Sequence, residues 1–184
     1  MSKEDSFQYF LNCLIEATGE IKGKYFHLPV TYTDFIFRER GYCYELYHQI
    51  RKIMSDNYPY LLSGEIDKNG HPLIQPTCGS IIPDFLVHRP GYMGPDDNLI
   101  IIEVKNIQGA TYFYEDKTFL KDIDTINCMT KLPNGYYKGI LLIYGCDTKE
   151  KKNKIVEVYN ERCNRDTTLL IFHNKPNEKA ILYK

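Results

Sequence analysis

Residues 137–145, YKGILLIYG, form a near-continuous apolar run, and they restrict the fold more than any other stretch of the chain. A strand with one wet face alternates polar and apolar residues; an unbroken Ile/Leu run predicts a strand covered on both faces. Such a strand belongs inside a sheet that has helices above and below it. Asn98–Lys105 (NLIIIEVK) repeats the pattern but ends in charge, and Ile81–His88 (IIPDFLVH) carries Asp84 among apolar neighbours.

The other elements follow from periodicity. Phe7, Phe10, Leu11, Leu14 and Ile15 fall at helical spacing within Ser6–Ala17. Residues 37–57 place Tyr42, Cys43, Leu46, Tyr47, Ile50, Ile53 and Met54 on one stripe of a second helix. Residues 59–65 and 71–75 flank Asp67-Lys68-Asn69-Gly70, a turn signature, and predict two strands. Ile81–His88 and Asn98–Lys105 predict a hairpin with a long Gly/Pro loop. A helix over Asp116–Leu132, the strand at 137–145, a basic helix from Lys149 and strands at Thr168–His173 and Ala180–Tyr183 complete the chain. The expected class is α/β, with a central mixed sheet flanked by helices on both faces and one domain over residues 1–184.

Composition narrows the partners. The chain has 184 residues and a net charge of −1, so a nucleic-acid surface must be a local patch, since phosphate binding needs positive potential. No run approaches the ~20 apolar residues of a membrane span, and the acidic, interrupted N-terminus is no signal peptide; a cytoplasmic protein with no membrane partner is expected. The six cysteines (13, 43, 78, 128, 146, 163) show no close pair and read as small buried hydrophobes, neither disulfides nor zinc ligands.

Chemistry concentrates in residues 81–106. Strand alternation puts Glu103 and Lys105 on one face, about 6.5–7 Å apart. Antiparallel pairing with Ile81–His88 sets Asp84 across from Glu103. Two converging carboxylates repel unless a cation lies between them, and Mg²⁺ suits one or two carboxylates plus waters. The Val104 carbonyl is an additional candidate ligand, and the Lys105 ammonium could polarise a water or stabilise a phosphorane-like charge. Single charges within apolar runs are also explained by a turn-forming Asp84 and by an exposed Glu103/Lys105 pair on an edge strand.

Pro83-Asp84, then Glu103-Val104-Lys105 closing an apolar strand, resembles the PD-(D/E)xK nuclease superfamily, the restriction-endonuclease-like fold. The resemblance covers about residues 37–145 and implies an αβββαβ core. It implies a divalent-metal-dependent nuclease, acting with Mg²⁺ or Mn²⁺ on phosphodiester bonds of DNA. Asp84 and Glu103 would be metal ligands, Lys105 the catalytic lysine, and Glu45 a helical carboxylate completing the site, with Glu65 a weaker candidate. Lys117, Lys121, His88 and Gln49 are candidate phosphate contacts, each equally at home as a surface residue. The near-neutral charge leaves substrate recognition to a homodimer or a partner subunit. The alternative is an inactive member of the same fold, serving as a nucleic-acid-binding or protein-interaction subunit.

Overall fold

Ser2 and Asp5 form a reciprocal capping box that starts α1 (Lys3–Thr18), whose Phe7, Phe10, Leu11 and Leu14 are buried. The computed structural model describes residues 1–31, 33–111, 117–145 and 148–183, with the side chains of 33–35 and 109 excepted. Asp116, the expected first residue of a helix, and Cys146 lie outside the described residues. A short α2 (Gly23–Phe26) leads to β1 (Leu28–Val30) and β2 (Thr33–Ile36), which pair antiparallel apart from the main sheet.

The main body runs α3 (Glu39–Ile53), β3 (Leu61–Gly64), α4 (Gln75–Cys78), β4 (Phe85–His88), β5 (Asn98–Asn106), α5 (Ile107–Thr111), α6 (Thr118–Lys131) and β6 (Lys138–Tyr144). It ends with α7 (Lys149–Arg162), β7 (Thr168–His173) and β8 (Ile181–Leu182). The class is α/β: six strands in the order β3-β4-β5-β6-β7-β8 form one mixed sheet. β4 runs antiparallel to both β3 and β5; β5, β6 and β7 are parallel, and β8 is antiparallel to β7.

Alternation along the strands divides the core in two. Ile100, Ile102, Val104 and Leu142 join α1 and α3 residues on one face. Ile101, Leu141, Ile143 and Leu170 join Phe119, Ile123 and Ile126 of α6 and Ile155 of α7 on the other. The second packing is close: a Cβ at Gly139 of β6 would collide with Ile126 Cγ2. Among the described residues, no helix is long and apolar enough to cross a membrane.

Two expectations are corrected. Residues 71–75 are not a strand. The His71 carbonyl accepts from the amides of Ile74 and Gln75, turning the chain into α4, while Pro72 has no N–H for a ladder. β3 therefore pairs with β4 instead, Leu61 to Gly64 against His88 to Phe85. The cysteines are not all unpaired: Cys78 and Cys128 form a disulfide with Cα atoms 5.8 Å apart, joining α4 to α6 across a separation of 50 residues. That pairing is made by tertiary packing, so spacing along the chain carries no trace of it. Cys13, Cys43 and Cys163 are free and buried.

Candidate active site

The register between β4 and β5 brings the charged ends together. Phe85 pairs with Ile102, so the next step sets Asp84 against Glu103. The Val104 amide donates to Asp84 Oδ2 at 2.7 Å, and the Asp84 amide approaches Glu103 Oε2 at 3.5 Å, the long limit for such a bond. Lys105 continues on the Glu103 face, and its Nζ lies 3.0 Å from Glu39 Oε1 and 2.9 Å from Asp122 Oδ2. Glu39 also accepts from the Asn106 amide at 3.1 Å, so the first turn of α3 is tied to the end of β5. The Asp122 contact is an ion pair between two largely buried side chains.

Burial sets the electrostatics. Glu103 is 6% exposed. Desolvation, with the charges of Asp84 and Asp122 added, pushes its carboxyl well above the usual carboxylate range. Burial likewise raises Asp84, against the Val104 amide that favours its charged form and with Glu39 and Asp122 adding to the rise. Asp122 is pushed up to about 6 by burial, partly offset by Lys105. Desolvation works against the Lys105 ammonium, but Asp122 and Glu39 more than offset it and hold its pKa above the ordinary lysine value. Glu39 and Asp122 thus hold the ammonium between them, and its charge also acts on Asp84 and Glu103.

The group opens into a cavity of about 490 Å³ walled by Glu39, Asp84, Lys105 and Thr118, with Arg38 and Arg40 on its rim. A second cavity, of about 410 Å³, shares the Glu65 and Asp84 wall and runs beneath Tyr44 and Tyr47. Compared with known proteins, the chain matches no family model, no curated protein and no solved structure.

The expected residues fall in different places. Asp84, Glu103 and Lys105 meet. Glu45 does not join them: it accepts from Gln49 Nε2 at 2.6 Å, and Gln49 Oε1 in turn accepts from Lys52. The helical carboxylate that reaches the group is Glu39. His88 is buried at the far end of β4, with Nε2 3.3 Å from Ser63 Oγ, and burial pushes its pKa down to about 4. Lys117 and Lys121 are exposed at the start of α6, beside Asp122. Glu65 adjoins Asp84, whose carbonyl accepts its amide at 3.1 Å, while its carboxylate pairs with Arg40 at 2.9 Å. Val104 meets Asp84 through its amide.

Glu39 and Asp122 were both readable. Glu39, Tyr42, Cys43 and Leu46 stand at i, i+3, i+4 and i+7, as do Asp122's neighbours Phe119, Ile123 and Ile126 around it. A carboxylate inside a buried stripe is the signal; Glu45 lies beside its stripe.

Among the described residues, no three His, Cys, Asp or Glu side chains form a ready-made metal cage. The donors fit a different kind of site. Two desolvated carboxylates, with the charge of Asp84 adding to the rise at Glu103, are a donor set that fits an open Mg²⁺ or Mn²⁺ position retaining waters.

Proposed function

We propose that the chain is a divalent-metal-dependent nuclease of the PD-(D/E)xK type, hydrolysing phosphodiester bonds of DNA, with α3-β3-β4-β5-α6-β6 as its restriction-endonuclease-like core. The observation that carries this reading is that Asp84 and Lys105 line one cleft with the buried Glu103 carboxylate directly behind Asp84. Asp84 and Glu103 would hold Mg²⁺ or Mn²⁺. When bound, the ion would polarise a phosphoryl oxygen and lower the pKa of a coordinated water.

The remaining residues act on substrate and on one another. An ammonium has three donors, and Glu39 and Asp122 engage two of them, leaving one for a phosphate oxygen or a water. The same two carboxylates fix where that donor points, which is what transition-state stabilisation requires. Arg38 and Arg40 on the rim, with Lys117 and Lys121 on α6, supply positive charge that the chain as a whole lacks.

One observation favours a second reading. Lys105 held between two carboxylates is also what a structural ion-pair network looks like, and it would suit an inactive nucleic-acid-binding subunit.

A single set of incubations separates the two: linear, supercoiled and single-stranded DNA, and RNA, each with Mg²⁺, Mn²⁺ or EDTA. The nuclease reading expects cleavage with metal, none in EDTA, and a loss of about 100-fold or more in Asp84→Asn and in Lys105→Ala. Cleavage that survives EDTA or either substitution sinks it. Binding with no cleavage under any condition supports the second reading.

A further inference from the structure

A third concave surface lies at the opposite end of β3 and β4. It is a cavity of about 470 Å³ whose walls include Arg51, Tyr58, Tyr60, Arg89 and Tyr92. Two of the rings are fixed. The Tyr58 hydroxyl donates to the Ser6 carbonyl at 2.9 Å and the Tyr60 hydroxyl to the Asp96 carbonyl at 2.8 Å, so both rings are buried at the base. The Arg89 guanidinium lies 4.8 Å from the Tyr60 ring centre and is steered by Asp97 at 3.5 Å. Tyr92, in contrast, is 66% exposed. Arg51, in the last turn of α3, is exposed and has no hydrogen-bond or ion-pair partner among the described residues.

We infer that this cavity binds one nucleotide unit of a single-stranded nucleic acid, its base on the Tyr92 ring and its phosphate at Arg51. A nucleotide has a flat π-face and an anion, and the cavity walls offer an exposed ring and two arginines against a single carboxylate, Asp56. Arg89 over Tyr60 adds a planar cation to the floor. A continuous duplex would keep its bases stacked inside and leave such a ring unused, so a single strand fits better.

The path to the carboxylate group supports a strand over a free nucleotide, and this choice rests on the nuclease reading above. β3 and β4 pair from Gly64 and Phe85, beside Glu65 and Asp84, to Leu61 and His88, beside Tyr60 and Arg89. Five residue rises of about 3.3 Å separate Asp84 from Arg89, roughly 16 Å. At the duplex spacing of about 3.4 Å per nucleotide that is at most about five steps, and fewer for an unstacked, extended strand. Among the described residues β3 is the edge of the sheet, so no further strand bars the way.

The test is fluorescence anisotropy of a labelled oligothymidine of about twelve nucleotides in EDTA, where no metal-dependent cleavage occurs. Arg51→Ala should weaken binding about tenfold and reduce the slope of log K against log salt by about 0.7. Tyr92→Ala should weaken it about tenfold with the slope unchanged, and Tyr92→Phe should restore it. Lys154→Ala, on the exposed face of α7, should match the wild type. Wild-type affinity in both Arg51→Ala and Tyr92→Ala, or an equal loss in Lys154→Ala, overturns the site. Thymidine monophosphate competing as well as the strand overturns the strand as occupant. Because binding is read without metal, a failed cleavage assay leaves this result standing, and persistent cleavage with unaltered binding rejects this site alone.

Discussion

β5 and β6 lie side by side and parallel, and both are buried nearly throughout, yet they end differently. In register, Glu103 stands beside Leu141 and Lys105 beside Ile143. At the same depth and on the same face, β6 fills the space with hydrocarbon and β5 with charge. The fold itself therefore does not ask for charge at that level. Desolvating an unpaired carboxylate costs several kcal/mol, and Glu103 is surrounded by more carboxylates than cations. A residue that opposes folding where its neighbour favours it is kept for something other than folding, which is the physical basis for placing a site at the end of β5.

Paired substitutions break the comparison most directly. Leu141→Ala removes buried hydrocarbon from the centre of the sheet and should lower unfolding free energy by about 2–5 kcal/mol. Glu103→Gln removes an ionisable group whose charged form is disfavoured there while keeping the shape, so in EDTA it should leave stability unchanged or raised. Urea titrations of the two variants beside the wild type decide this. Equal losses would mean that Glu103 is a structural residue like Leu141.

The disulfide sharpens the contrast from the side. Cys78 precedes Asp84 by six residues and Cys128 follows Asp122 by six, so the bridge ties together the two segments that deliver carboxylates to β5. Closing a loop of 50 residues should contribute about 2–4 kcal/mol through the unfolded chain. Reduction by dithiothreitol, or Cys78→Ser, should lower the unfolding midpoint accordingly; a midpoint insensitive to both would show that the bridge carries no stability. Disulfides are rare in reducing compartments, so the bridge weighs against the cytoplasmic setting expected from the apolar runs and the N-terminus.

What could be read from the sequence follows the range of each signal. The β5 and β6 runs, and the α3 and α6 stripes, are local patterns of period two or 3.6, and they place the central sheet and its covering helices. The convergence of Asp84 with Glu103 was accessible because one hairpin register makes it. Residues 71–75 misled because a turn signature between apolar stretches resembles a hairpin, while the outcome depended on Pro72 and on β4 competing for β3. Glu45 misled for the opposite reason. It is central in its helix, but an α-helix points one stripe at the sheet, and Glu39 occupies that stripe.

Lys105 is not the only polar group buried at this end of the sheet. His173 closes β7, beside Tyr144, with Nδ1 2.7 Å from the Tyr42 hydroxyl. Here the buried group is neutral, and burial pushes its pKa down to about 4 from 6.5. The unfolded chain therefore takes up a proton at a higher pH than the native one. Stability from this group is complete above pH 6.5 and is lost as pH falls towards about 4, by up to about 3 kcal/mol. His173→Gln cannot titrate, so its urea midpoint should fall less than that of the wild type between those pH values. His88 shifts the same way in both proteins and cancels. Parallel pH curves for the two would assign the acid sensitivity elsewhere.

The smallest expected effect concerns Glu65, where the chain leaves β3 next to Asp84. Its φ is 47°, in the left-handed region that a residue with a Cβ enters at a cost of about 1–2 kcal/mol. Its ion pair with Arg40 is largely exposed and worth about 0–1 kcal/mol, too little to offset that strain. Glycine would relieve the strain but return about 0.5–1 kcal/mol of unfolded-chain freedom. Glu65→Gly should therefore be more stable than Glu65→Ala, and by about 1 kcal/mol at most relative to the wild type, read as a shift in urea midpoint. Equal stability of the Gly and Ala variants would mean that the backbone there is not strained. If Glu65→Gly gains stability while metal-dependent cleavage falls, Glu65 joins Glu103 as a residue retained against the preference of the fold, and the contrast drawn between β5 and β6 extends to the edge of the sheet.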